Sequence, residues 1–296
     1  MKLPEFITQA RENLVEKPWG GNWIPKLKGL EGDKIGESWE FSAHPSNPSY
    51  VLIYDKHVSL IDVFSTFKRE ILGVLADRYD RFPILVKLLD IRDKISVQVH
   101  PSDEVAKEFN EGDIGKEEGW IALSEGVVYI GLREDLIPEE IDKIVEKLNK
   151  FDAKFLDSFK IPAGIPHFAE GIRLFEVSAN SNITYRIHDF YGRKPDLEKA
   201  LKALNFRKTS ESDIRDKKGK ISMKNFIAEV LEVEGVREFK IDTFNIVMSL
   251  DEDITLKGRE QKIEVRRGYS CLIPASTREY SIEGDKALII RTYPLR

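Results

Sequence analysis

The chain has 296 residues, 41% of them hydrophobic, enough for one large core or two of ordinary size. A formal net charge of −5 and a pI near 5.7 argue against a nucleic-acid surface. One cysteine, Cys271, excludes an internal disulfide framework and fits a reducing, cytoplasmic compartment; no segment has the apolar length of a membrane span, and MKLPEFITQARENL has no signal-peptide core.

Along the chain, alternating or β-branched runs bounded by Gly, Pro, Asn and Asp predominate. SYVLIYD, PILVKLLDI, KISVQVHP, GWIALSEGVVYIGL, IRLFEVSA and ITYRIHDF follow one another, and each reads as a strand. Helical spacing of apolar residues is confined to SLIDVFSTFKREILGVL, SDEVAKEFNE, PEEIDKIVEKLNKF and DLEKALKALNF. In the second of these, Ser102 or Asp103 can cap the start, with acids in the first turn. The segment 207–225, RKTSESDIRDKKGKISMKN, is charged and nearly free of apolar residues, and reads as a linker. Strand patterns resume in FNIVMSLDEDITLKG, KIEVRRGYSCLIPA and KALIIRTYPL. The expectation is a mainly β protein with a few short helices: a first half over 1–206, the linker at 207–225 and a second half over 226–296. The halves share an echo, IPAGIPHFAEG at 161–171 and IPASTREYSIEG at 273–284; with Pro162 laid on Pro274, His167 falls on Glu279. The second copy has then lost its histidine, which assigns the chemistry to the first half.

In KISVQVHPSDE (94–104), alternation puts Ile95, Val97 and Val99 on one strand face and Ser96, Gln98 and His100 on the other. That polar face suits either the wet side of a sheet or the wall of a barrel holding something polar. An acidic pair, Glu117 and Glu118, follows in GKEEGW. His167 lies in PAGIPH, where a glycine permits a tight bend and the prolines fix the chain. Two imidazoles, a carboxylate and an amide oxygen make a mixed shell suited to a divalent metal; unrelated surface polars are the bland alternative. Lys87 shares a face with Leu85 and Leu89, where an ammonium needs a partner or a route to the barrel rim. Glu176 and Arg186 also interrupt apolar runs, and Thr184, Arg186 and His188 share a strand face. Lysines, an arginine and spare acids around one metal point to an anionic substrate handled by proton transfer. Trp19, Trp39 and Trp120 are sugar-stacking platforms or core filler, and His44 simply occupies a His-Pro turn.

Taken together, seven stretches make the sequence recognisable. KPWGG (17–21), IGESWEFSAHP (35–45), PILVKLLD (83–90), SVQVHPSDEVA (96–106), GKEEGW (115–120), IPAGIPHFAEG (161–171) and LFEVSANSNITYRIHDF (174–190) resemble, in order, the motifs of the type I phosphomannose isomerases of the cupin superfamily. The short interval from Glu118 to His167 resembles the short prokaryotic form. The resemblance implies two cupin-like, jelly-roll β-barrel halves, an N-terminal catalytic one and a degenerate C-terminal one. It implies one divalent metal, zinc in the family, on Gln98, His100, Glu118 and His167, with Glu117 a neighbour. It implies Arg186, Lys116 and Glu176 as catalytic groups and Lys87, Ser96 and Trp19 as substrate-binding ones. Glu37 and Glu40 compete as an upstream site acid, because GESWEF fits in two registers. Gly119 stands where a larger residue is common in the family.

The activity so implied is a metal-dependent aldose–ketose isomerisation of mannose 6-phosphate and fructose 6-phosphate through a cis-enediol. The partner is a phosphorylated hexose in the cytoplasm, with no nucleic acid and no membrane. Two other readings fit the same residues: a cupin isomerase for another phosphosugar such as glucose 6-phosphate, and a non-catalytic sugar- or metal-binding cupin.

Overall fold

The apolar run Ile84–Lys94 forms a strand whose first eight residues are all buried, as in a strand covered on both faces. Ile84, Val86 and Leu88 enter a core that also takes in Phe226, Phe244 and Ile290 from the C-terminal half. Leu89 and Ile91 enter a second core inside the first half, and Lys87 lies on that inner side beside Leu89. The computed structural model describes residues 2–295. Among them the chain is mainly β, in two large curled sheets with a few short helices.

The first sheet has ten strands. Its main path runs Leu148–Ala153, Gly126–Leu132, His167–Ala179, Ile84–Lys94, Leu14–Gly21, Ile35–Phe41. His167–Ala179 is the hub: it pairs with Ile84–Lys94 on one edge and with Gly126–Leu132 and then Glu118–Ala122 on the other. A bulge lies between Glu170 and Ile172, with Gly171 at φ 60°. The extra residue lies on the partner strand, where Arg92 and Asp93 stand opposite Gly171. His167 and Glu176 differ in parity, yet both meet the same indole, Trp120.

The second sheet has eight strands, and its backbone is the pairing of Phe226–Lys240 with Glu279–Pro294 over their whole length. The strand Ile7–Thr8, from the start of the chain, closes its edge by pairing with Leu272 and Cys271. The sequence echo has a structural counterpart. Ser158–Ile161 leads through a turn to the strand beginning at His167; Ser270–Ile273 leads through a short turn to the strand beginning at Glu279. Glu279 is half exposed and pairs with Arg259 at 3.1 Å.

The segment 207–225 does not loop free: its first part lies against the first sheet, and Lys220–Ser222 adds an edge strand to the second. Lys208 bridges Leu132, Arg215 bridges Phe159, and a short helix spans Glu211–Ile214. Its few apolar residues do the anchoring: Ile214 and Ile221 have no exposed surface. Where the halves meet, the helix Leu60–Leu72 is capped by Ser59 and turns Leu60, Val63, Phe64, Phe67 and Ile71 into the shared core. Phe82 stacks on Phe244 there, with ring centroids 4.8 Å apart. Lys28 and Glu40, both of the first half, form an ion pair of 2.9 Å at this junction, with neither side chain exposed. Lys28 also donates to the Gly268 carbonyl at 2.9 Å, and Glu40 accepts from the Ser270 hydroxyl at 3.0 Å.

Candidate active site

The inner wall of the first sheet carries the polar face expected from the alternation in 94–104. Gln98, on the short strand Val97–Val99, is paired with His167 on one side and with Arg186 on the other. His100 follows that strand, and Glu118 opens the strand Glu118–Ala122. His167 is delivered by the PAGIPH turn, where Gly164 adopts φ 86°, a conformation that favours glycine. The same turn is tied to its partner: Gly164 N–H donates to the His100 carbonyl at 2.8 Å.

His100, Glu118 and His167 are fully or almost fully buried, with one ligand-capable atom of each within 4.8 Å of the others. Each imidazole donates its Nδ1–H to a backbone carbonyl, His100 to Ile183 at 2.8 Å and His167 to Ile165 at 2.9 Å. A carbonyl only accepts, so each Nε2 presents a lone pair inward. Burial pushes the His100 imidazolium down to about 4, which keeps that ring neutral. The two Nε2 atoms lie 3.1 and 3.2 Å from the Glu118 carboxylate, whose Oε1 is buried with no hydrogen-bond donor among the described residues. Three acceptors therefore converge where a cation would satisfy them all. Burial would raise the Glu118 carboxyl, but the Lys116 ammonium, in direct contact with it, holds it well below the usual range. Gln98 stands at the same spot, with its amide 3.2 Å from His167 Nε2. Its Oε1 accepts from the Ser96 hydroxyl at 3.3 Å.

Beside this cluster opens a cavity of about 220 Å³, lined by Trp19, Lys87, Ser96, Gln98, Lys116, Glu176 and Arg186, every one of them singled out in the sequence. Lys87 does not reach for the rim. It is 5% exposed, lies over the Trp39 ring at 4.3 Å, and sits 3.6 and 3.5 Å from Glu37 and Glu176. Lys116 meets Glu176 at 3.4 Å; burial opposes its charge, but Glu118 and Glu176 raise its pKa above the usual lysine value. Arg186 is held by Asp196 at 3.5 Å, and its buried Nε has no hydrogen-bond partner among the described residues.

Of the two competing acids, Glu37 lines the cavity while Glu40 turns to the other side of the strand and the Lys28 pair. Glu37 binds Lys17 at 2.9 Å and accepts the Trp39 Nε1–H at 2.6 Å. Lys17, Asn182 and Arg193 also line the cavity and were not read from the sequence. Arg193 lies in an irregular turn, its guanidinium held 2.8 Å from Asp189, and no periodicity marks it. Lys17 sits in KPWGG, the stretch that also supplied Trp19, so its signal was present. Glu117 points away to Asn225 at 2.7 Å, and His188 is exposed.

A jelly-roll wall with a buried His–Glu–His centre open to a cationic cavity defines a cupin of the metal-binding kind. The phosphomannose isomerase type I catalytic-domain model matches residues 12–117, and the mannose-6-phosphate isomerase cupin-domain model matches residues 217–294. A solved structure from Archaeoglobus fulgidus, provisionally described as a mannosephosphate isomerase, is 41% identical over 100% of both chains with a TM-score of 0.95. The mannose 6-phosphate isomerase structure from Bacillus subtilis is 26% identical, covering 99% of this chain and 100% of that one, at a TM-score of 0.85. The mannose-6-phosphate isomerase of Streptococcus mutans is 35% identical over 66% of this chain and 63% of its own. The chain belongs to the type I phosphomannose isomerases, a family of cupin enzymes. No helix among the described residues is long and apolar enough to cross a membrane.

Proposed function

We propose that the chain interconverts mannose 6-phosphate and fructose 6-phosphate through a cis-enediol, using a divalent metal, zinc, held by Gln98, His100, Glu118 and His167. One observation carries this reading: two imidazole lone pairs and an undonated carboxylate oxygen face one another inside the protein, opposite a cationic cavity. When bound, the ion would supply Lewis acidity for the negative charge that develops on O1 and O2 of the sugar. Glu176 takes the proton from C2 and returns it to C1. Lys116, held protonated, gives a proton to the C1 oxygen as the enediol forms and takes the C2 hydroxyl proton as the ketone forms, so that it ends as it began. Arg186 and Lys87 meet the anionic phosphate or enediolate, Arg186 through a donor with no other use. Ser96 fixes the Gln98 amide, and Trp19 walls the sugar.

The test joins elemental analysis to a coupled assay with mannose 6-phosphate, run beside glucose 6-phosphate. A strong chelator abolishes turnover and zinc restores it; His100→Ala loses stoichiometric metal. Full turnover by metal-free protein would reject the reading.

A further inference from the structure

Outside the cavity, one carboxylate gathers more donors than any group the proposed chemistry uses. Asp113, 9% exposed at its side chain, lies between Lys107 and Lys116 on an irregular stretch. Its Oδ2 accepts from His44 Nε2 at 2.8 Å, from the Asn182 backbone N–H at 3.1 Å, and from the Ser181 hydroxyl at 3.2 Å. Its Oδ1 accepts from Arg81 Nη1 and from the Ile114 N–H, both at 2.8 Å. Ser181 shares its proton with the Ile114 carbonyl at 2.7 Å. His44 is locked in turn by the Ser46 hydroxyl at 2.7 Å, and that hydroxyl also accepts from the Asn182 amide at 3.3 Å. Burial alone would raise the Asp113 carboxyl, but these donors hold it well below the usual carboxylate range, so it is an anion at neutral pH.

Both of its ties to 181–182 fall on the connection between His167–Ala179 and Tyr185–His188. That connection does two things for the site. Ile183 supplies the carbonyl that fixes the His100 tautomer, and Asn182 lines the cavity. An irregular segment has no ladder to hold such atoms to a few tenths of an ångström; a multiply bonded anion can.

We infer that Asp113, oriented by His44 and Arg81, is a positioning residue for the metal ligand His100 and for Asn182, acting through the 180–184 connection. This rests on the metal reading of the site, because it assigns His100 to the ion. It also gives a task to the His-Pro turn, which the sequence presented as a turn and nothing more. Orienting groups behind metal-bound histidines commonly matter tenfold to a hundredfold in metal affinity.

The experiment is a zinc titration in competition with a chromogenic chelator, on wild type, Asp113→Asn, His44→Ala and His44→Gln, with KM and kcat for mannose 6-phosphate at saturating zinc. Asp113→Asn turns an acceptor into a donor among donors. It is expected to weaken zinc about tenfold to a hundredfold, and to raise KM more than it lowers kcat. His44→Gln keeps a side-chain N–H for Asp113 and stays near wild type, whereas His44→Ala shifts in the direction of Asp113→Asn. A folded Asp113→Asn protein with wild-type zinc affinity and KM overturns the inference. If that variant does not fold, the His44 pair decides: equal behaviour of His44→Ala and His44→Gln overturns it as well. Wild-type protein that binds no zinc removes the metal reading itself, a result distinct from either.

Discussion

Glu37 is a carboxylate whose worth can be calculated. Its side chain is 11% exposed, with Lys17 at 2.9 Å and Lys87 at 3.6 Å. Burial pushes its pKa up, but Lys87 and Lys17 outweigh that and bring it from 4.5 to about 2. The gap between those values is worth about 3.4 kcal/mol at neutral pH. Because the folded-state value is the lower one, this stability is present above the unfolded-state value and drains away as pH falls from about 4.5 toward 2. About 2 kcal/mol of it remains at pH 3.5. Glu37→Gln imitates the protonated acid: it can still accept from Trp39 but forms no ion pair. The variant should therefore be about 3 kcal/mol less stable than wild type at pH 7 and closer to 2 at pH 3.5. Urea unfolding followed by circular dichroism at both pH values measures the two gaps. A gap below about 1 kcal/mol at pH 7, or one that fails to narrow in acid, would refute the electrostatic account of this residue.

Two further substitutions probe packing and the assignment of the second half. A Cβ on Gly119 would lie 2.5 Å from Ile221 Cγ2, so Gly119→Ala should cost about 1–3 kcal/mol. The penalty should shrink in an Ile221→Ala background, as a double-mutant cycle would show; an unchanged penalty would mean the strain lies elsewhere. Glu279→Ala removes only an exposed pair with Arg259, so both turnover and the urea midpoint should stay near wild type. A tenfold loss of turnover would mean that the second half carries chemistry.

Much of the site was legible because it obeys a period of two. Ser96, Gln98 and His100 lie on one face as the alternation requires, and Lys87 sits beside Leu89 on the inner wall. Family motifs added Glu118 and His167, which no periodicity could bring together from different strands. What stayed hidden is what breaks the period. His167 and Glu176, on either side of Gly171 with its φ of 60°, meet one indole although their numbers have opposite parity. At 207–225 the charged composition hid two buried isoleucines, Ile214 and Ile221, and a strand that joins the second sheet. Asp113 and Arg193 belong to irregular chain; Arg193 is held by nearby Asp189 and Asp113 mainly by distant His44, Arg81, Ser181 and Asn182, and neither leaves a pattern in the sequence. The choice between Glu37 and Glu40 needed coordinates, since it turns on which side of one strand the register faces.

The strand Ile7–Thr8 has a consequence for how the molecule comes into being. Its partner, Leu272 and Cys271, emerges from the ribosome on the order of 260 residues later, a delay of tens of seconds at roughly 5–20 residues per second. Throughout that interval Ile7 and Thr8 lack their ladder partners, and the segment has only the bridge of Gln9 to Val51 beside it. The second sheet is thus closed by a strand made long before its partner, and that edge stays open until Leu272 and Cys271 are in place.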